Sequence, residues 1–236
     1  MAELGKMQRA RPILLGALAL ALAPEASAAE RPLDLAFSLG AASDYVFRGV
    51  SQTGGRPEGF ASADVALGRI GYAGVWLSNE RLTGETGLEY DLYAGARPNL
   101  GPVALDLGLV RYGYSRQPTD GRLDFVEAKA LASLPLGPAI FGAGVYHAAH
   151  YFGRLGPATY YELNAFSQVP RTKFSVSGAV GRQQISRAAD YSTWNLGVGY
   201  AATDHLGFDL RYWDTGRHAL GDDFGSRIVL GLKAAF

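Results

Sequence analysis

Period-2 alternation recurs in segment after segment of this chain, and one of the two phases is almost free of charge. Alternate side chains of an extended segment point to opposite faces. A face that admits no charge must therefore rest against something apolar. The last segment sets the phase: Ile228, Leu230, Leu232, Ala234 and Phe236 alternate with Arg227, Val229, Gly231, Lys233 and Ala235. Matching apolar sets are Leu33, Leu35, Phe37, Leu39; Ala61, Ala63, Val65, Leu67; and Leu88, Tyr90, Leu92, Ala94. Further along come Val103, Leu105, Leu107, Leu109; Trp194, Leu196, Val198, Tyr200; and Phe208, Leu210, Tyr212. The opposite phase collects Asp34, Asp44, Arg48, Asp64, Glu89, Asp91, Asp106, Glu127, Lys129, Glu162, Lys173, Asp209, Arg211, Arg227 and Lys233. A charge on a lipid-facing strand position costs roughly 2–4 kcal/mol at the bilayer midplane. The sorting predicts an all-β fold, a closed antiparallel transmembrane β-barrel with lipid outside and charge inside. Arg111 breaks the rule, at an outer strand end from which it can reach lipid phosphate. The segment from Ile140 to His150 is apolar on both phases and has no predicted orientation.

The segments fall at about 33–48, 59–68, 72–79, 87–97, 102–114, 123–134, 139–150, 159–168, 172–183, 191–201, 207–215 and 226–236, twelve in all. An even count returns both termini to one side, the periplasm. The connections alternate between short turns, such as Gly68–Gly71 and Pro135–Pro138, and longer polar loops, such as Val50–Glu58 and Gly216–Gly225. Short periplasmic turns and longer outer loops are the expected asymmetry.

Both ends of the chain fit that destination. Arg9 and Arg11 precede an uncharged run from Pro12 to Ala23, and Ala26-Ser27-Ala28 offers small residues for cleavage. Residues 1–28 read as a secretory signal peptide, the run being too short to span a bilayer as a helix. That leaves 29–236 as one barrel domain in the bacterial outer membrane. The leader takes Lys6, Arg9, Arg11, Glu3 and Glu25 with it, leaving 19 basic and 20 acidic residues. No basic excess is available for nucleic acid. Cysteine is absent, so disulfides and thiolate chemistry are excluded. The 31 glycines and 27 aromatics suit tight strand curvature and interfacial girdles. A terminal strand ending on Phe236 has the form of an assembly signal, which makes the barrel-assembly machinery a partner, beside outer-membrane lipid and lipopolysaccharide.

The segment Ser43-Asp44-Tyr45-Val46-Phe47-Arg48-Gly49-Val50-Ser51-Gln52-Thr53 resembles the opening signature of the TorF-type porins, a proteobacterial outer-membrane family. Tyr72-Ala73-Gly74-Val75-Trp76-Leu77-Ser78-Asn79 and Glu89-Tyr90-Asp91-Leu92-Tyr93-Ala94-Gly95 are similar to two further blocks of that family. The resemblance covers roughly residues 34–110. It implies a small barrel with channel function and, the family having no established substrate, no binding residues.

The pore-lining candidates are Asp44, Arg48, Asp64, Glu89, Asp91, Asp106, Glu127, Lys129, Glu162 and Arg211. Asp44 and Arg48, four apart on one predicted strand, are about 13 Å apart along it. They line a constriction or lock the interior through ion pairs with neighbours. Glu89, Asp91 and Tyr93 share a face as an acidic ladder. Nine acids against six bases on the inner wall predict a weak preference for cations. Twelve strands lie between barrels filled by side chains and barrels with wide channels. A narrow pore for ions or small solutes and a plugged structural or adhesive barrel both remain open. Lipid hydrolysis is a third reading. His147 and His150 face opposite sides, no serine lies two residues beyond His147, and no Gly-x-Ser-x-Gly or His-Glu-x-x-His occurs. Neither enzyme activity, a metal nor a cofactor is expected.

Overall fold

The computed structural model describes residues 33–119 and 121–236, so the leader expected at 1–28 lies outside the described residues. Strands β1 (Leu33–Ala42), β4 (Glu58–Leu67), β5 (Gly71–Glu80), β6 (Gly87–Ala96), β8 (Val103–Tyr114) and β9 (Phe125–Leu136) form the first half of the wall. The second half is β10 (Ala139–Ala148), β11 (Ala158–Gln168), β12 (Phe174–Ile185), β13 (Tyr191–Ala201), β14 (Leu206–Thr215) and β15 (Arg227–Ala235). Each long strand pairs antiparallel with its chain neighbours, β1 meets β15, and the ring is closed. The twelve-stranded barrel is thus as the alternation predicts. Three short strands complete the set: β2 (Val46–Phe47), β3 (Val50–Ser51) and β7 (Asn99–Leu100). Among the described residues the only helical turns are two single 3₁₀ turns, His218–Leu220 and Asp222–Phe224, in the last loop.

The charge-free phase faces out. Leu35, Phe37, Leu39, Leu92, Leu109, Leu196, Leu210 and Ile228 are all more than half exposed, as a lipid-facing surface must be in a bare chain. The ambiguous strand is oriented by its rings: Tyr146 and Ala148 are buried inside, while Phe141 and His147 face outward. Arg111 is outward, but pairs with Asp124 at 3.2 Å and lies over Tyr90 instead of standing free for phosphate. Lys173 falls in the turn before β12, exposed, and donates to the Ala202 carbonyl. Inward glycines make room for rings lying flat on the wall. A Cβ on Gly74 would sit 2.5 Å from Tyr93, and one on Gly181 2.2 Å from the Tyr160 hydroxyl.

The first predicted strand is wrong in its last third. It ends at Ala42, not Arg48, because Ser43 finishes the ladder by itself. The Ser43 amide donates to the Leu230 carbonyl at 2.9 Å and its Oγ accepts the Leu230 amide at 3.0 Å. With β15 satisfied, the chain leaves the wall at Asp44 and residues 44–57 fold into the barrel.

Candidate functional site

The inserted segment is a tight hairpin. Val46–Phe47 pairs with Val50–Ser51 across a two-residue turn, Arg48-Gly49, in which both residues have positive φ, 51° and 84°. That is the backbone of a type I′ turn, which normally takes Asn or Gly in its first position. An arginine there costs of order 1 kcal/mol and persists only where surrounding contacts over-determine it. Gly49 is required on a second ground, since a Cβ would fall 2.1 Å from the Thr193 Oγ1 on the facing wall.

The contacts that hold Arg48 come from the wall, from the hairpin itself and from Tyr151 in the loop between β10 and β11. Its guanidinium donates to both Glu127 oxygens at 2.8 and 2.7 Å, and to the Gln183 Oε1 at 3.1 Å. Its Cζ lies 4.5 Å from the Tyr160 ring centroid, 4.9 Å from Tyr146 and 4.6 Å from Phe47. Glu127 also accepts from the Tyr112 hydroxyl at 3.1 Å. Arg48 is 6% exposed and Glu127 and Gln183 are fully buried. Burial alone disfavours the charged guanidinium, but the Glu127 carboxylate outweighs it and raises the Arg48 pKa further.

At the hairpin's base, Asp44 gathers the loop. It accepts from Ser51 at 2.6 Å and Thr53 at 2.7 Å, and pairs with Arg227 at 2.7 Å. Arg227 in turn donates to the carbonyls of Asp222, Asp223 and Gly225, so the last loop is tied to the same point. The Arg81 amide donates to the Gln52 carbonyl at 2.7 Å, and Tyr45 packs on Trp76. Asp44 and Arg48 are therefore not two charges on one strand. They are the base and tip of a plug, pinned to opposite walls.

The other predicted residues face inward as expected, in two environments. Glu89 and Asp91 on β6 are buried beside Glu58 and Glu80, and none of these four carboxylates is in an ion pair among the described residues. The Tyr114 hydroxyl donates to Glu89, and Ser78 to Glu58, but Glu80 Oε1, Glu89 Oε2 and Asp91 Oδ1 lack a partner. Nearer the termini the interior is looser. Ser62, Asp64, Asp106, Glu162, Asn164, Ser177 and Lys233 are half-buried. There Asp106 takes Tyr72, Lys129 and Arg97, Asp64 takes Tyr93, and Glu162 takes Tyr160 and Asn164. Arg211 pairs with Asp209 at 3.0 Å and reaches Asn195 and Ser177. Sequence reasoning missed the Arg48 cage and Arg97. Tyr146, Tyr160 and Gln183 do sit on the inward phase, which is the only signal they give.

At the loop-end rim His147 faces outward, where a lipid-cleaving histidine would belong, but its Nδ1 lies 2.9 Å from the Thr159 Oγ1, and Ala149 stands two residues on. No group of His, Cys, Asp or Glu among the described residues is arranged to hold a metal.

Residues 26–223 match the model of Gcw_chp, a bacterial protein family of unknown function. The chain belongs to that family. No curated protein matches it. Among solved structures, the Gcw_chp barrel is similar to the KdgM porin, with a TM-score of 0.59 at 6% identity, over 85% of this chain and 99% of that one. The KdgM porin in complex with disordered oligogalacturonate gives 0.60 at 5% identity, over 86% and 98%. The outer membrane phospholipase dimer of Salmonella typhi with bound calcium gives 0.50 at 12% identity, over 90% and 94%. Of a longer porin refined at 1.8 Å, the chain spans 62% of the length at a TM-score of 0.43 and 15% identity. The likenesses to the KdgM porin and the phospholipase establish an outer-membrane barrel fold.

Proposed function

We propose that this Gcw_chp barrel is an outer-membrane channel for passive diffusion of ions or small solutes, weakly cation-preferring, whose path the hairpin at 44–57 closes. The observation that carries the reading is the inner wall. Polar and charged side chains line it from rim to rim, including the half that none of the described loops fills. A barrel that served only as a scaffold could fill that half with apolar side chains at no cost, whereas a path for hydrated solutes needs it polar. The resemblance to TorF-type porins supports the same reading.

Charge sets the preference. Arg48, Arg211 and Arg227 are cancelled by Glu127, Asp209 and Asp44. What remains at the loop end is Glu58, Glu80, Glu89 and Asp91. Buried side by side these carboxylates cannot all ionise, so the acidic excess that concentrates cations is a partial one, which keeps the preference weak. A polyanionic oligosaccharide such as the oligogalacturonate of the KdgM complex is therefore not the expected solute here. In this reading a leader of residues 1–28 is removed, both termini are periplasmic, and the hairpin enters from the outer side. Phe236 presents the final strand to the assembly machinery, and the outward face meets lipid and lipopolysaccharide.

The plug itself favours a second reading, a closed structural barrel. Planar-bilayer recording of the purified protein separates the two. The channel reading expects conductance with a reversal potential displaced toward the cation equilibrium in a salt gradient. Silence at every voltage, in the parent and in hairpin variants alike, leaves the structural barrel.

A further inference from the structure

The surroundings of Arg48 are a receptor in their own right. A carboxylate placed for two parallel N–H···O bonds, an amide oxygen beside it and faces of Tyr146 and Tyr160 within 5 Å are the elements that recognise a guanidinium group. All four side chains belong to strands of the wall, on β9 to β12, and stay there wherever the hairpin goes. The group that fills them belongs to a loop. Its backbone is held at φ 51°, a conformation that arginine does not favour.

We propose that Glu127, Gln183, Tyr146 and Tyr160 form a binding site for a solute bearing a guanidinium group, and that Arg48 is a tethered stand-in which occupies the site while the channel is shut. The inference rests on the channel reading in giving the site a solute to meet, and it identifies that solute's chemical class. The geometry selects guanidinium over a simple ammonium, because a planar fork satisfies both Glu127 oxygens and stacks on the rings, whereas an ammonium offers a point charge. The tether makes the stand-in a strong competitor, with an effective concentration in the millimolar range for a short loop. A free guanidinium solute therefore displaces Arg48 only at comparable concentration, so the site also meters the gate.

The test empties the site without disturbing the turn. Arg48→Asn keeps the left-handed backbone, since Asn-Gly is the favoured pair for this turn, and is too short to reach Glu127. Arg48→Gly serves if the asparagine variant assembles poorly. The probe is methylguanidinium chloride, with methylammonium chloride at equal ionic strength as the control. Two readouts are taken, conductance in planar bilayers and the thermal midpoint of the folded barrel in detergent.

In Arg48→Asn, methylguanidinium at about millimolar concentration should lower the conductance at least twofold and raise the midpoint. Methylammonium should do neither, and both effects should vanish in Arg48→Asn/Glu127→Gln. A midpoint unmoved by methylguanidinium, or moved equally in the Glu127→Gln background or by methylammonium, overturns the proposed site. A midpoint shift specific to methylguanidinium in a variant that never conducts upholds the site and refutes the channel, so the two failures are told apart.

Discussion

Glu127→Ala should release the hairpin and leave the barrel standing. The substitution removes the carboxylate that takes two of Arg48's hydrogen bonds, and leaves a guanidinium that is 6% exposed with Gln183 and three ring faces. Breaking a buried ion pair from one side costs about 3–5 kcal/mol, because the remaining charge is uncompensated. The tethered loop can relieve this by leaving the lumen, since the wall's own ladders do not pass through it. The loss should therefore appear as local opening, with the open fraction rising about a hundredfold to several thousandfold at 1.4 kcal/mol per decade. Hydrogen exchange reads this directly. The Gln52 amide donates to Tyr45, and the Tyr45 amide to the Thr53 Oγ1, so both report the hairpin alone. Their protection should fall by that factor while amides of β12 and β13 keep theirs. Arg48→Met/Glu127→Leu, which removes both charges, should restore most of the protection. Unchanged exchange at Gln52 and Tyr45 in Glu127→Ala, or an equal loosening of the whole wall, refutes the view of Arg48 as the lock of a separable plug.

Three other outcomes follow from the same geometry. Glu89→Gln with Asp91→Asn should move the reversal potential toward anions, more strongly as salt falls below 0.15 M, where the Debye length exceeds about 8 Å; an unmoved potential places the selective charges elsewhere. Deletion of Phe236, whose amide and carbonyl both bond Phe37 across the β1–β15 seam, should lower the yield of heat-modifiable barrel in the outer membrane, and equal yields from mutant and parent would sink that assignment. Gly74→Val should destabilise the barrel by about 1–3 kcal/mol through overpacking against Tyr93, read as a lower thermal midpoint beside an unchanged one for Gly59→Ala, where a Cβ would meet nothing nearer than 3.9 Å.

The wall was legible in the sequence because lipid and water enforce one alternation on every strand. Leu105 to Leu109 or Trp194 to Tyr200 can be assigned a face without any partner. The plug was not, because Asp44, Val46 and Arg48 continue that alternation unbroken past the point where the strand ends. What turns the chain inward is a local event, Ser43 taking both backbone groups of Leu230, 187 residues away in the sequence. The Arg48–Glu127 pair spans 79 residues and its cage draws on four strands, so no local pattern announces it. The inward phase of Glu127 is written in β9; which cation it meets is decided only when the ring closes.

The seam where that closure happens is the thinnest part of the wall. The β1–β15 ladder runs only from Ser38–Ala235 to Ala42–Gly231, five paired positions, against eight or more between every other pair of neighbouring long strands. Just beyond its loop-side end lies the Asp44–Arg227 bond, 183 residues apart in the chain. The plug's base is thus also a rivet across the first and last strands, set only after they have met. A barrel still open at its edge lacks the Asp44–Arg227 bond. One that has closed fixes the plug's base and reinforces its seam with the same bond, so loss of Arg227 would weaken both at once.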